Sequence, residues 1–172
     1  MKPPLIWYGG KQRLAKDILP LIPSHKTYVE PYFGGGSIFF RKEPVKTEVI
    51  NDLNRQLINF YTILRDDTQN LRKEVSSVLH SRSLFQDAQV KCSYPHLFTK
   101  VELAASVYVL ANQSYAATQS QYGYDRSGGN TRTINNKVQK FISDSEIGQR
   151  LRNVNIECDD ALKVILRFDS EN

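Results

Sequence analysis

The side chains best suited to binding or catalysis cluster in the first third of the chain. Glu30-Pro-Tyr-Phe-Gly-Gly-Gly36 sets an acid–proline pair and three consecutive glycines between two apolar stretches, Tyr28-Val29 and Ile38-Phe-Phe40. Glycine has no Cβ, so its backbone takes positive φ and comes close to a ligand. A glycine turn entering a helix also presents free N–H groups and a positive dipole end. The stretch reads as a strand–loop–helix site for a nucleotide-type ligand; the alternative is a tight turn that binds nothing. Spacing removes two familiar versions. A dinucleotide fingerprint that starts at Gly34 and Gly36 needs glycine at Phe39, and a P-loop needs Ser or Thr where Gln12 follows Gly10-Lys11.

Two further features flank this loop. Thr47-Glu-Val-Ile-Asn51 reads as a second strand ending at Asp52. An acid in that position after a glycine loop commonly accepts hydrogen bonds from a ribose diol. Asp52 could instead cap the following helix, a role Asn51 could also fill. Upstream, Leu5-Ile-Trp-Tyr-Gly-Gly-Lys11 is an apolar–aromatic patch that holds the only tryptophan. Trp7 is either a core residue or an aromatic face against a bound ring.

Composition narrows the partners. The chain has 172 residues with a formal net charge of +5, enough for one α/β domain with a sizeable core, and the charge fits an anionic partner, nucleic acid first. Cys92 and Cys158 are far apart, and His25, His80 and His96 are scattered, so neither a disulfide framework nor a metal site is expected. The N-terminus lacks the apolar run of a signal peptide and no stretch is long enough to span a bilayer, which makes the cytoplasm the expected compartment.

The elements that must position these residues follow from periodicity. Leu14, Ile18 and Leu21 predict a short helix stopped by Pro20 and Pro23, and Leu53, Leu57, Phe60, Tyr61 and Leu64 predict another. From Arg65 the pattern changes to helices around Leu71–Leu79, Leu84-Phe85 and Val101–Ala111, the last behind the capping box Thr99-x-x-Glu102. Asn112 to Lys140 is polar and aromatic, and Gly123, Gly128 and Gly129 predict loops there. Its amide, Arg and Tyr side chains suit base edges, phosphates and stacking, although a solvated polar surface has the same composition. Ser143-x-x-Glu146 predicts a capped helix through Leu151, Val154–Glu157 a strand, and Asp159-Asp160 the start of a last helix.

Trp7-Tyr-Gly-Gly-Lys11, Glu30-Pro-Tyr-Phe-Gly-Gly-Gly36 and Asn51-Asp-Leu-Asn54, in this order, resemble the Dam-type DNA adenine-N6 methyltransferases over nearly the whole chain. The resemblance implies an α/β fold with a Rossmann-like sheet, formed by residues 1–64 and 141–172, and an inserted, mainly helical DNA-recognition region at 65–140. It implies S-adenosylmethionine as cofactor, no metal, and duplex DNA as partner. By position, Trp7 and Lys11 resemble cofactor-pocket residues, and Pro31, Tyr32, Gly34 and Gly36 the loop around the methionine part. Asp52 resembles the ribose-binding acid, and Asp160 the acid near the cofactor's adenine, with Asp159 an equal alternative in register. Asn112, Tyr115, Tyr122, Tyr124, Arg126, Arg132 and Lys137 lie where the family keeps its DNA contacts.

Two departures are mild: Tyr32 replaces the usual phenylalanine, and Tyr8 a frequently small residue. The third bears on activity. The family's Asp-Pro-Pro-Tyr type tetrapeptide, which polarises and stacks the extruded adenine, does not occur; the only Pro-Pro is Pro3-Pro4, between Lys2 and Leu5. The expectation is a cofactor- and DNA-binding portion that ends before the catalytic strand and is weakly active or inactive by itself. The Tyr28–Glu30 strand would then be an open edge for a second chain.

Overall fold

The structure is a computed structural model that describes residues 1–124 and 126–169; Asp125 and the end of the expected core segment, 170–172, lie outside it. Three strands form one sheet in the order β1 (Thr27–Glu30), β2 (Thr47–Asn51), β3 (Val154–Glu157), and both pairings are parallel. Parallel strands cannot be joined by a hairpin, so each link must carry the chain back along the sheet. The β1–β2 link is unusually economical. After the glycines, Phe40 N–H donates to Gly36 O and Lys42 N–H to Ile38 O, closing a single turn rather than the expected helix. Pro44 lies just beyond it and disfavours continuation.

The β2–β3 link carries most of the helices: α2 (Arg55–Asp66), α3 (Thr68–Ser76), α4 (Arg82–Ser93), α5 (Lys100–Gln113), α6 (Gly129–Ser143) and α7 (Glu146–Gln149). The short α1 (Ala15–Ile18) precedes the sheet and α8 (Ala161–Phe168) follows it. Asn54, not Asn51, caps α2, accepting from Gln56 N–H and Leu57 N–H. This moves the predicted stripe: Leu53 lies ahead of the helix and is 72% exposed, while Leu57, Phe60, Tyr61 and Leu64 are buried. The capping box of α5 forms as expected, and every residue from Leu103 to Gln113 is buried. A helix that is apolar on all sides must be covered on all sides, and α2, α3 and α4 pack against it.

The largest correction falls at 129–143. The glycine pair read as a break is a helix start, with Gly128 at φ +71° as the residue before α6. Ile134, Val138 and Phe141 recur at helical spacing and are buried. Asp144 rather than Ser143 caps the next helix, accepting from Glu146 N–H and Ile147 N–H. One hydrophobic core joins the sheet to the helices, from Leu5, Phe33 and Ile50 through Leu71 and Tyr108 to Val138 and Val154.

Glu48, in the interior of β2, is 4% exposed and meets two cations. Arg150 binds it through both guanidinium nitrogens and lies 3.8 Å over the Phe39 ring. Lys42 Nζ donates to it at 2.6 Å and sits 4.5 Å over the Tyr28 ring. Burial alone would push the carboxyl up, but the hydrogen bonds and charges of Arg150 and Lys42 outweigh it and hold Glu48 below the ordinary carboxylate range. Its stabilisation is therefore complete above the unfolded carboxyl's titration near pH 4 (about 4.3) and lost as pH falls through the depressed folded value. Glu48→Ala leaves two largely buried cations without a partner and should cost about 3–5 kcal/mol in urea unfolding at pH 7. A loss below about 1 kcal/mol would show that the cations relax to solvent.

Candidate functional site

Ligands of open parallel sheets bind outside the carboxyl ends of the strands. Here those ends are tied together by one side chain that the sequence reading assigned to a helix cap. Asn51, the last residue of β2, is 1% exposed. Its Nδ2 donates to Pro31 O at 2.9 Å and to Asp159 O at 3.0 Å, and its Oδ1 accepts from Asp159 N–H at 2.9 Å. Its backbone carbonyl accepts from Phe33 N–H at 2.9 Å. The segments leaving β1 and β3 are thus both held to β2.

Asp52 comes next and closes the glycine loop. Its Oδ2 accepts from Gly34 N–H at 2.9 Å and its Oδ1 from Asn54 N–H at 3.0 Å. A carboxylate oxygen has a second lone pair, so both remain able to accept from a ligand hydroxyl. The glycines answer first to the protein itself. A Cβ on Gly34 would lie 3.1 Å from Trp7 Cδ1, and one on Gly35 3.0 Å from Leu5 O and 3.2 Å from Trp7 Cβ. A Cβ on Gly36 would lie 2.7 Å from Phe33 Cζ and 2.8 Å from Phe40 Cε2. Gly34 and Gly36 also take positive φ, +53° and +69°.

Trp7 is a core residue with one side open. It packs on the main core and also lines an open cavity of about 290 Å³ with Tyr8, Ala117, Thr118 and Gln119. Lys11 Nζ donates to Tyr32 O at 2.9 Å and lies 3.5 Å from Glu30 Oε1. The Tyr32 side chain points outward and is exposed. Asp160 is exposed and caps α8, accepting from Leu162 N–H and Lys163 N–H, while Asp159 pairs with Arg167 and Lys163.

The residues expected at DNA divide into surface and support. Tyr115, Tyr124, Arg126 and Arg132 are exposed. Asn112 is in the interior, 7% exposed, with its amide donating to Tyr108 O at 3.1 Å and Pro4 O at 3.4 Å. Tyr122 is half-buried, stacked on His80 at 4.6 Å with Arg82 4.9 Å over its ring. His80 in turn reaches Thr131 Oγ1 and Gly123 O, both at 2.8 Å. Lys137 lies not on a loop but on α6, beside a groove of about 670 Å³ that also contains Lys2, Arg41 and Lys140. Burial lowers its affinity for a proton. The segment 114–122 is a closed hairpin: Ser114 pairs with Tyr122, and Ala116, Ala117 and Gln119 all take positive φ. His80, just before α4, and Arg82, its first residue, were missed because both lie outside the polar stretch that composition marks.

Among the described residues no three His, Cys, Asp or Glu side chains gather as a metal site, and no helix is long and apolar enough to cross a membrane.

Comparison with known proteins agrees on one family. The sequence model of the D12 class N6 adenine-specific DNA methyltransferases matches residues 7–172. The chain is 40% identical over 72 residues to the type II methyltransferase M1.LlaDCHI of Lactococcus lactis subsp. cremoris, covering 41% of this chain and 25% of that protein. It is 33% identical over 87 residues to the type II methyltransferase M.MjaIII of Methanocaldococcus jannaschii, covering 45% and 30%. A DNA adenine methylase of Vibrio cholerae is 38% identical over 65 residues, covering 38% and 23%. The matched stretch spans about a quarter of the length of these relatives.

The loop geometry makes a paired prediction. Gly36→Ala combines a left-handed backbone with two ring contacts below 3 Å, and should cost about 2–4 kcal/mol in chemical denaturation. Gly9→Ala has the same sign of φ, +70°, but nothing within 4 Å of the added Cβ. It should cost only about 1–2 kcal/mol, and equal losses would mean that the rings move aside.

Proposed function

The chain belongs to the D12 class N6 adenine-specific DNA methyltransferases, and on that premise we propose that its strand ends hold S-adenosylmethionine while residues 65–140 face duplex DNA. The reaction served is methyl transfer to the N6 amino group of an adenine extruded from the duplex. The observation that carries the reading is the Asp52 carboxylate, tied to Gly34 at the open end of a parallel sheet with lone pairs to spare. The surrounding donor set fits the cofactor. Asp52 would accept the ribose hydroxyls, and Lys11, whose ammonium has donors beyond the one on Tyr32 O, would meet the amino-acid carboxylate. Pro31, Tyr32, Gly34 and Gly36 would line the methionine part, Trp7 would offer an aromatic face, and Asp160 would stand by the adenine. These residues would form one side of a Rossmann-like core made of 1–64 and 141–172.

The cofactor supplies a methyl that is already electrophilic on its sulfonium, so the transfer calls on no metal. What remains is to hold the donor, orient the base and accept the amino hydrogens. The 172 residues contain no Asp-Pro-Pro-Tyr to do the last of these. A polypeptide of these residues alone should lack about 3–4 kcal/mol of transition-state stabilisation, the worth of one polarising group. The outer edge of β1 is unpaired among the described residues, and a second polypeptide carrying that tetrapeptide would pair there. For DNA, we assign surface contacts to Tyr115, Tyr124, Arg126, Arg132 and Lys137, with Tyr122, stacked on His80, and Asn112, buried on α5, as support.

Calorimetric titration with S-adenosylmethionine tests the cofactor site. Binding to the unaltered chain, weakened about tenfold or more by Asp52→Ala, is the expected result, since a hydrogen bond to a charged group is worth about 1.5–3 kcal/mol. No binding to the unaltered chain would leave a non-catalytic module that binds DNA or a partner. For the DNA face, Arg126→Ala and Arg132→Ala should each weaken duplex binding and flatten the plot of log K against log salt by about 0.9. Unchanged affinity at low salt would remove that loop from the interface.

A further inference from the structure

Glu30 is used neither by the ribose contact nor by the DNA face, yet it is the last residue of β1 and 5% exposed. Every neighbour within reach is a donor. Its Oε2 accepts from Tyr28 O–H at 3.0 Å and from Phe39 N–H at 3.2 Å, and its Oε1 faces Lys11 Nζ at 3.5 Å. Phe39 lies on the far side of the glycine loop. Lys11 holds the near side, through Tyr32 O at 2.9 Å. One carboxylate therefore brackets the loop from both flanks, directly at one and through an ammonium at the other.

We propose that the ionised Glu30 carboxylate is the positioning residue of the glycine loop, so that protonating it releases Lys11 and loosens the cofactor site. This rests on the cofactor reading above. A neutral acid brings its own hydrogen into a shell already filled with donors, and the pull on Lys11 falls with the charge. Burial opposes the ionised form and pushes the Glu30 carboxyl above the ordinary range; Lys11, the Tyr28 hydroxyl and Phe39 N–H pull it back without cancelling the effect. The other groups that face it are Tyr61 from α2, whose buried hydroxyl senses both Glu30 and Asp52, and, beyond Tyr28, Glu48 with Arg150 and Lys42. The sign for stability is opposite to that for binding. A raised carboxyl contributes stability that is complete below the unfolded titration and lost as pH rises through the folded value. Ionising Glu30 therefore costs stability, and the donors that bracket the loop are what the ionised form satisfies.

Trp7 is the only tryptophan and lies against Gly34, so its emission reports the loop without any ligand. The test follows Trp7 fluorescence and S-adenosylmethionine calorimetry from about pH 4 to 8 in the unaltered chain, Glu30→Gln and Lys11→Met. The unaltered chain should show a one-proton emission change above the ordinary carboxylate range, and affinity should fall about tenfold per pH unit below it. Glu30→Gln should lose the emission change and bind about tenfold or more weakly at every pH. Its thermal midpoint at pH 7 to 8 should be equal or higher. Lys11→Met should move the emission change to higher pH, which keeps the test alive should Glu30→Gln not fold. Glu30→Gln that binds and titrates like the unaltered chain overturns the inference and leaves the cofactor site standing. An unaltered chain that binds no S-adenosylmethionine at any pH overturns both.

Discussion

The side-chain amide of Asn51 is the constraint on which the rest of the site depends. Three parallel strands leave three segments pointing away from the sheet at one end, and nothing in strand pairing fixes where they go. Asn51 spends both amide hydrogens and its carbonyl on Pro31 and Asp159, while its main chain takes Phe33. A buried amide with every partner in place holds those backbone groups in one arrangement, because leaving it unpaired would cost the full desolvation of a polar group. The positions of Asp52, Gly34 and Asp159 follow from that anchoring, not from the sheet itself.

Much of the candidate site could be read from sequence because its residue types are distinctive at their spacing. Three glycines, an acid after a strand and an aromatic–glycine–lysine patch stand out by residue type and spacing, and the structure brings them together. The parts that escaped are those whose role depends on distant partners. Asn51 reads as a cap from its neighbours, and only the contact with Asp159 makes it a staple. Glycine pairs punctuate both loops and helix starts, so Gly128-Gly129 could not announce α6; the buried Ile134, Val138 and Phe141 stripe sat inside a stretch whose polarity dominated. The turn after Gly36 stops short of a helix for a simpler reason, since Pro44 lies just beyond it and disfavours helical backbone in the residue before it.

The glycine loop shows why a ligand argument from glycine alone is incomplete. Each of the three crowded Cβ positions points at protein atoms, two of them at Trp7 or Leu5. The loop and the aromatic patch are therefore one packing unit. Their juxtaposition is a packing requirement before it is a binding one. What a ligand could use is the backbone and carboxylate surface that this packing exposes, with Asp52 at its centre.

Two buried glutamates on adjacent strands show how the same residue type is put to opposite uses. Glu48 lies opposite Tyr28 in the β1–β2 register, and Glu30 two residues further along β1. Both are nearly inaccessible, 4% and 5% exposed. Glu48 has two cations in direct contact and is held as a firm anion, which suits a brace between the sheet and Arg150. Glu30 has one ammonium at 3.5 Å, itself a third exposed, and burial wins. A second cation at Glu30 would have made another brace. With Lys11 alone facing it, the Glu30 carboxyl is raised rather than lowered, at the end of the strand that carries the loop, and a group so shifted beside a candidate site is the kind that a ligand, or a proton, can tip.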